Sequence, residues 1–522
     1  MRTRVFNTAG PCRAEFDYML SATSRLPEVL TLIEQQKYFV LHAPRQIGKT
    51  TAIGALAREL LAEGRYTAAL VPVEVGAPYS DEPAAAEQAI LEAWRDHAAS
   101  QLPVAQRPPP WPDAPPGRRL GSALREWSKA CMDLGKPLVL FLDEIDALSD
   151  KTLISVLRQL RDGYINRPQG FPWSLALVGM RDVRDYKVRA GGSQRLHTAS
   201  PFNIKVASLT LRNFNAPEVA ELLHQHTEDT GQVFSPEATA RIFDLSQGHP
   251  WLVNALAREL VEKLVPDRTQ AIPEAQVLQA KENLILRMDT HLDSLAERLR
   301  EDRVRHIIEP MLAGTLFDGS VTSDDQRFVL DLGLCRLGPG GSLVIANPIY
   351  QEVIPRMLGE NAQRSIRPNL KPTWLDAEGK LAPDRLLDAF LSFWRENGEA
   401  LLRSVPYHEV APQLVLMAFL HRVVNGGGSI QREYAIGTRR MDLCLRHGDL
   451  TLGIELKVWR PKQPDPLDEG LVQLDEYLDT LNQPTGWLVL FDRRPKRLPL
   501  SKRLTVTQTK SPTTRNITVI RA

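Results

Sequence analysis

The stretch Tyr38-Phe39-Val40-Leu41-His42-Ala43-Pro44-Arg45-Gln46-Ile47-Gly48-Lys49-Thr50-Thr51 decides the fold of the first half of the chain. A short apolar run leads into a loop, and an alanine-rich helical pattern follows, so the order is strand, loop, helix. At such a junction the loop N–H groups and the helix N-terminus point at an anion. Ala43, Pro44, Arg45, Gln46, Ile47, Gly48, Lys49, Thr50 and Thr51 are therefore expected to cradle the phosphates of a nucleotide, ATP. Lys49 would reach the β- and γ-phosphates, and the Thr50 hydroxyl would hold Mg²⁺. In the pattern G-x-x-x-x-G-K-[ST] the first position is Ala43 here. Alanine takes positive φ only at a cost, so this position departs from the pattern while Gly48-Lys49-Thr50 keeps it.

Outward from that loop the apolar runs continue. Ala68–Val75 reads as a second strand, and Pro137–Leu142 as a buried strand ending on Asp143-Glu144. Leu175–Gly179 reads as another, while Pro103–Gly117, with seven prolines in fifteen residues, is a loop between two helices. Strands alternating with helices mean a mostly parallel α/β sheet covered on both faces. Asp143, about ninety residues beyond the loop, would bind Mg²⁺ through water, and Glu144 could polarise the attacking water. Two such elements, both at strand ends, point to a nucleotide-hydrolysing site.

After Leu209 the pattern is helical, and Val178-Gly179-Met180-Arg181-Asp182 and Gly248-His249-Pro250-Trp251 stand out on either side of the change. On these segments, with FNTAGPC near the N-terminus and HAPRQIGKTT, the chain resembles bacterial AAA+/STAND-like ATPases over roughly residues 6–265. The resemblance implies a P-loop ATPase core over 1–210 and a helical lid over 211–270. It also implies Arg181 as a phosphate or inter-domain sensor, Pro250 as a lid contact near the base, and a homo-oligomer. Arg161 and Arg167 are candidate arginine fingers, or plain surface arginines. Helices followed by the Gly-rich hairpin CRLGPGGSLVIANPIY read as a winged-helix-like module over 271–370. Its wing has no lysine or arginine between Gly338 and Pro348, which favours a relay over a DNA reader.

The last segment, 380–522, reads as helix, Gly426-Gly427-Gly428 turn, three strands, helix, strand. Gly448-Asp449 is a good two-residue hairpin loop. If those residues form it, Asp442 falls directly opposite Glu455, and Lys457 projects from the same face as Glu455. Two carboxylates and an ammonium on one face can share a divalent metal, activate water and stabilise charge on a phosphodiester in flight. Gln473 and Tyr477 share a face of the next helix. On Asp442, Glu455-Leu456-Lys457 and this QxxxY spacing, residues 385–495 resemble the PD-(D/E)xK nucleases, RecB-type in particular. That resemblance implies Mg²⁺, or Mn²⁺, at Asp442 and Glu455. A further ligand would come from Glu409, Gln413 or Glu433. An ordinary salt-bridged face is the plain alternative.

Formal net charge is only +1, so any nucleic-acid surface must be local. From Arg493 to Ala522 the chain is basic without an acidic residue, either a frayed solvated tail or a grip on the phosphate backbone. Four scattered cysteines without a CxxC argue against disulfides and zinc and suit a reducing compartment. With no long apolar stretch and no signal peptide, a cytoplasmic protein without membrane contact is expected. The expected function is ATP-regulated or ATP-driven, metal-dependent cleavage of nucleic acid, DNA rather than RNA, in defence or repair. The alternatives are a signalling or scaffold ATPase whose last domain binds without cutting, and a remodeller of proteins.

Overall fold

The computed structural model describes residues 4–21, 23–180, 204–288, 290–312, 317, 323–365, 373–378, 380–404, 411–424, 428–433, 442–494 and 500–522. The chain divides into two compact units: Met1–Arg287 with Leu330–Leu334, and Met288–Val329 with Cys335–Ala522.

The first unit opens with α1 (Pro27–Glu34), β1 (Tyr38–His42), α2 (Lys49–Ala62), β2 (Thr67–Pro72), α3 (Pro83–Gln101) and α4 (Arg119–Asp133). It continues with β3 (Leu138–Asp143), α5 (Asp150–Gly163), β4 (Ser174–Gly179) and β5 (Lys205–Thr210). The five strands form one parallel sheet in the order β2-β3-β4-β1-β5. β3 and β4 are buried at every residue, which is why they read as unbroken apolar runs. Alternate side chains feed two cores. Val40, Val71, Leu140 and Leu177 meet Trp94, Trp127 and Leu157 on one face. Phe39, Leu41, Phe141 and Val178 meet Val29, Ile53 and Leu56 on the other. Each such fully buried side chain contributes roughly 1.5–3 kcal/mol of transfer free energy. The proline-rich connection is pinned rather than loose: Trp111 Nε1 donates to Leu91 O (3.0 Å) and its ring lies against Trp127.

A helical layer follows: α6 (Ala216–Thr230), α7 (Pro236–Ser246), α8 (Pro250–Glu259) and α9 (Glu274–Arg287). A reciprocal cap opens α6. Glu218 N–H donates to Asn215 Oδ1 (2.9 Å) and Asn215 N–H donates to Glu218 Oε2 (2.8 Å), which satisfies two otherwise orphan donors.

The second unit begins with α10 (Thr290–Leu299), α11 (Asp302–Leu312), α12 (Asp324–Asp331), the antiparallel pair β6 (Cys335–Leu337) and β7 (Leu343–Ile345), and α13 (Pro348–Ser365). After α14 (Pro383–Ser404) and α15 (Ala411–Val424) come β8 (Gly428–Glu433), β9 (Asp442–His447), β10 (Leu450–Trp459), α16 (Leu467–Thr480) and β11 (Thr485–Asp492). The chain closes with α17 (Leu500–Arg503), β12 (Thr505–Lys510) and β13 (Asn516–Arg521). Six strands make a mixed sheet, β12-β13-β11-β10-β9-β8. The basic C-terminal stretch is thus not a frayed tail, because β13 lies parallel to β11 inside the sheet. Gly448 turns at φ 57° between β9 and β10, and the register pairs Glu455 with Asp442. Leu474, Tyr477 and Leu478 of α16 pack on one sheet face with Cys444, Leu488 and Leu490. Trp394 of α14 meets Phe491, whose side chain takes the other face.

Candidate functional site

Parallel pairing of β1 with β4 and β5 sets the loop Ala43–Gly48 at the carboxyl end of the sheet, directly before α2. Ala43 is buried, and its N–H donates to Gly179 O (3.2 Å), so it prolongs the β1–β4 ladder. It does not have positive φ, and an alanine there carries no backbone strain; the left-handed positions are Gln46 and Gly48, at φ 60° and 87°. Lys49 Nζ donates to Ala43 O (2.7 Å) and Pro44 O (2.8 Å), and burial pushes its pKa down to about 8. Thr50 Oγ1 donates to Asp143 Oδ2 (2.9 Å), so the two residues expected to hold Mg²⁺ are brought together from α2 and β3. Burial raises the Asp143 pKa.

Glu144 follows in a left-handed turn at φ 56°. The carboxyl of Glu74, hydrogen-bonded to it, is the main reason that its pKa rises to about 7, and burial adds to this. Glu74 opens the short turn just beyond β2, the strand that pairs with β3, and nothing in its local sequence marks it. Asp146 Oδ1 accepts from Met180 N–H (3.1 Å), which ties the turn after β3 to the end of β4. Arg181, the expected sensor, lies outside the described residues.

Further elements of the first unit pack near the loop, α2 and α8. Gly248 has φ 70°, and a Cβ on it would stand 1.8 Å from Phe214 O, so only glycine fits. Pro250 is the first residue of α8 and is buried. The N-terminal segment straps α8 to α2: Trp251 Nε1 donates to Thr8 O (2.9 Å), Arg258 Nη1 to Thr8 Oγ1 (3.0 Å), and Cys12 N–H to Thr51 Oγ1 (3.1 Å). Segment Leu330–Leu334 also reaches the loop, with Gly333 seated against Pro44. Arg25, unmarked in the sequence, lies beneath the loop, its Nη1 donating to Ile47 O (3.1 Å). Arg167 is held elsewhere. Its Nε donates to Tyr164 O (2.8 Å), its Nη1 bonds Gln36 O, and its guanidinium lies over the Tyr164 and Tyr38 rings, so it is built into the base of the sheet. Arg161 is exposed in the last turn of α5.

In the second unit, Glu455 of β10 is 0% exposed, and neither carboxylate oxygen has a hydrogen-bond partner among the described residues. Lys457 Nζ lies 3.3 Å from Glu455 Oε1 and 3.2 Å from Glu469 Oε1, and it donates to Gln473 Oε1. Tyr477 is buried one turn further along α16, so Glu469, Gln473 and Tyr477 form an i, i+4, i+8 row above Lys457. Glu469 belongs to no motif in the sequence, although its i, i+4 spacing from Gln473 is legible there. The backbone register also aligns Glu433 of β8 with Asp442, so Glu433, Asp442 and Glu455 occupy paired backbone positions across three strands. Gln413 is buried on α15 with its Oε1 unpaired among the described residues, and Glu409 lies outside them. Among the described residues Glu455 is thus a buried carboxylate without a hydrogen-bond partner, ion-paired to Lys457 and in backbone register with two more acidic positions.

Several cations of the C-terminal region have acidic partners: Arg494 with Asp492, Arg515 with Asp475 and Asp479, and Arg521 with Asp465. Asp475 is buried on α16. Burial alone would raise its pKa, yet bonds from Ser511, Thr513 and Arg515 hold it down to about 2. It clamps the β12–β13 turn to the helix.

Residues 33–186, less than a third of the chain, match a family model described as an AAA domain. No curated protein matches. Solved structures with similar folds include a Walker-type ATPase of Pyrococcus abyssi (15% identity, TM-score 0.45, covering 67% of this chain and 99% of that one). The Aeropyrum pernix ORC2 protein in ADPNP–ADP complexes aligns at 17% identity and TM-score 0.40, over 69% of this chain and 98% of that one. The Thermotoga maritima RuvB Holliday junction branch migration motor aligns at 14% and 0.34, over 64% and 93%. Likenesses this distant say nothing about what the chain does. The AAA match and the five-stranded parallel sheet together give the first unit a P-loop NTPase α/β fold and support ATP hydrolysis there. Among the described residues, no helix is long and apolar enough to cross a membrane.

Proposed function

We propose that this chain hydrolyses ATP at the Lys49–Asp143 site and thereby governs metal-dependent phosphodiester cleavage of nucleic acid, DNA rather than RNA, at the Asp442–Glu455–Lys457 face. One observation carries the nuclease half: among the described residues buried Glu455 has no hydrogen-bond partner on either oxygen, and an ammonium lies 3.3 Å from one of them. A structural ion pair would satisfy its remaining lone pairs from neighbours, because an unmet buried carboxylate is expensive.

In the ATPase half, N–H groups of Gln46–Thr50 receive the phosphates and Lys49 swings from its loop carbonyls onto them. Glu144 accepts the proton of the attacking water, with Glu74 aligning its carboxyl. Pro250, the strap at Thr8–Cys12 and Arg181 are assigned to the base and to sensing the γ-phosphate. A divalent cation at Thr50 and Asp143, or along Glu433, Asp442 and Glu455, supplies charge neutralisation for phosphoryl oxygens and a more acidic bound water. At the second face, Lys457 is aimed by Glu469 and Gln473 to stabilise charge on the phosphodiester. Tyr477 orders the same helix face. Of the three candidates for a further ligand, Glu433 is favoured by its register with Asp442. We assign the four segments 1–210, 211–270, 271–370 and 380–522 to core, lid, winged-helix relay and nuclease, acting in a homo-oligomer.

The test is nicking of supercoiled plasmid in Mg²⁺ or Mn²⁺ by the wild type, Glu455→Ala and Lys457→Ala, with an RNA of equal length in parallel. Cleavage by the wild type alone supports the proposal. Equal cleavage by all three, or by none with ATP hydrolysis intact, turns the second unit into a binding domain.

A further inference from the structure

Arg25 is 8% exposed, and no carboxylate lies within ion-pair distance of it among the described residues. Glu218, the acid whose field reaches it, is taken by Arg212 in a two-point pair at 2.6 and 2.7 Å. A buried cation without a counter-ion is costly, so what it touches matters. Nη1 donates to two carbonyls at once, Ile47 O in the phosphate loop (3.1 Å) and Arg212 O (3.2 Å). The guanidinium lies over the Phe214 ring, 4.8 Å from its centroid, and Nη2 is 3.3 Å from where a Cβ on Gly48 would stand.

Residues 211–214 join β5 to α6, and they are the root of the helical layer. The last ladder bond is Leu211 N–H to His42 O (3.1 Å). From the far side the root is braced by the turn before α8: Phe214 N–H donates to Gly248 O (2.9 Å), and Asn213 Nδ2 donates to Gln247 O (3.1 Å). Gly248 packs so closely on Phe214 O that the root and this turn must move together. Arg25 is the link on the other side, between the root and the loop. A planar fork that stacks on an aromatic ring can bridge two carbonyls in this way, whereas a lysine ammonium lacks both the plane and the span.

We propose that Arg25 is a positioning residue that couples the phosphate loop to the root of the helical lid, so that polyphosphate bound at the loop sets the attitude of Arg212–Phe214 and of α6 and α8. This rests on the reading of Ala43–Thr51 as a nucleotide site. Arg25 touches no phosphate itself. It acts through the Ile47 carbonyl on one side and the Arg212 carbonyl on the other.

The experiment is hydrogen exchange by mass spectrometry on the full chain, with and without saturating AMP-PNP and Mg²⁺, for the wild type, Arg25→Lys and Phe214→Leu. In the wild type the nucleotide slows exchange both at 43–51 and across 212–259. In Arg25→Lys the loop is still protected, and the added protection of 212–259 falls at least about tenfold, the factor carried by one charge-assisted hydrogen bond. Phe214→Leu falls the same way, and it replaces Arg25→Lys as the deciding variant if that protein does not fold. Protection of both segments in the variants overturns the proposal. Loss of protection at both segments in a folded variant overturns it too, because Arg25 would then serve binding or the loop itself. A wild type unprotected at 43–51 rejects the nucleotide site instead.

Discussion

Replacing Glu455 by glutamine removes a charge that the fold accommodates badly. At 3.3 Å from Lys457 Nζ, and with an effective dielectric near 20, the ion pair is worth about 5 kcal/mol. Desolvating the carboxylate costs several kcal/mol, and neither oxygen recovers a hydrogen bond among the described residues. The two terms nearly cancel. Lys457 would not be stranded, because Glu469 remains at 3.2 Å. Glu455→Gln is therefore expected to leave the second unit unchanged or more stable, by roughly 0–2 kcal/mol, when divalent ions are chelated. With metal at ten times its dissociation constant, the wild type gains about 1.4 kcal/mol and the variant gains nothing. The assay is urea-dependent hydrogen exchange of β9–β11 amides, without nucleotide, in EDTA and in Mg²⁺ or Mn²⁺. A loss above about 2 kcal/mol in EDTA, or equal stabilisation of both proteins by metal, would refute the argument and make Glu455 an ordinary structural ion.

Gly248→Ala forces a Cβ to 1.8 Å from Phe214 O at a positive φ. It should destabilise the first unit by more than about 3 kcal/mol in urea melts, since a backbone atom cannot step aside cheaply. Asn215→Ala removes the acceptor of the α6 cap and should cost about 1 kcal/mol, measured the same way. Asp475→Asn should loosen β12–β13 by about 2–3 kcal/mol at pH 7, read from exchange of those strands. Because the folded carboxyl is held near 2, below its unfolded value of about 3.9, its contribution is full above pH 4. The gap between wild type and variant should then close as the pH falls from about 4 to 2; a gap independent of pH would show that the charge is not what holds the turn. Thr50→Val, which loses the hydroxyl donated to Asp143, should abolish Mg²⁺-dependent ATP hydrolysis with little change in melting.

Legibility in the sequence tracks burial and local geometry. β1, β3 and β4 are covered on both faces, so each is an apolar run that no helix period explains. β5 is an edge strand with half-exposed residues, and it is lost in the change to helical pattern after Leu209. β12 and β13 lie in a stretch that reads first as a basic cluster, although the β-branched run in Asn516–Arg521 is visible. The pairing of Asp442 with Glu455 is legible because a two-residue turn sets the register of a hairpin. Glu433 is left undecided, since eight residues separate β8 from β9 and no short turn sets that register. The absence of glycine at Ala43 looks like a flaw until the residue proves to extend a strand. Arg25 and Glu74 have no local signal at all, because long-range packing alone brings them to the loop and to Glu144.

The central claim is that the ATP site governs the cutting site, and one assay reads both. Plasmid cleavage and phosphate release are followed together, with Mg²⁺ and with or without ATP, for the wild type, Lys49→Ala, Glu144→Gln and Glu455→Ala. The account predicts that Glu455→Ala hydrolyses ATP but does not cut. It predicts that Lys49→Ala and Glu144→Gln, with the nuclease face intact, cut at a rate that ATP no longer changes. Cleavage that responds to ATP in Lys49→Ala as in the wild type would contradict it.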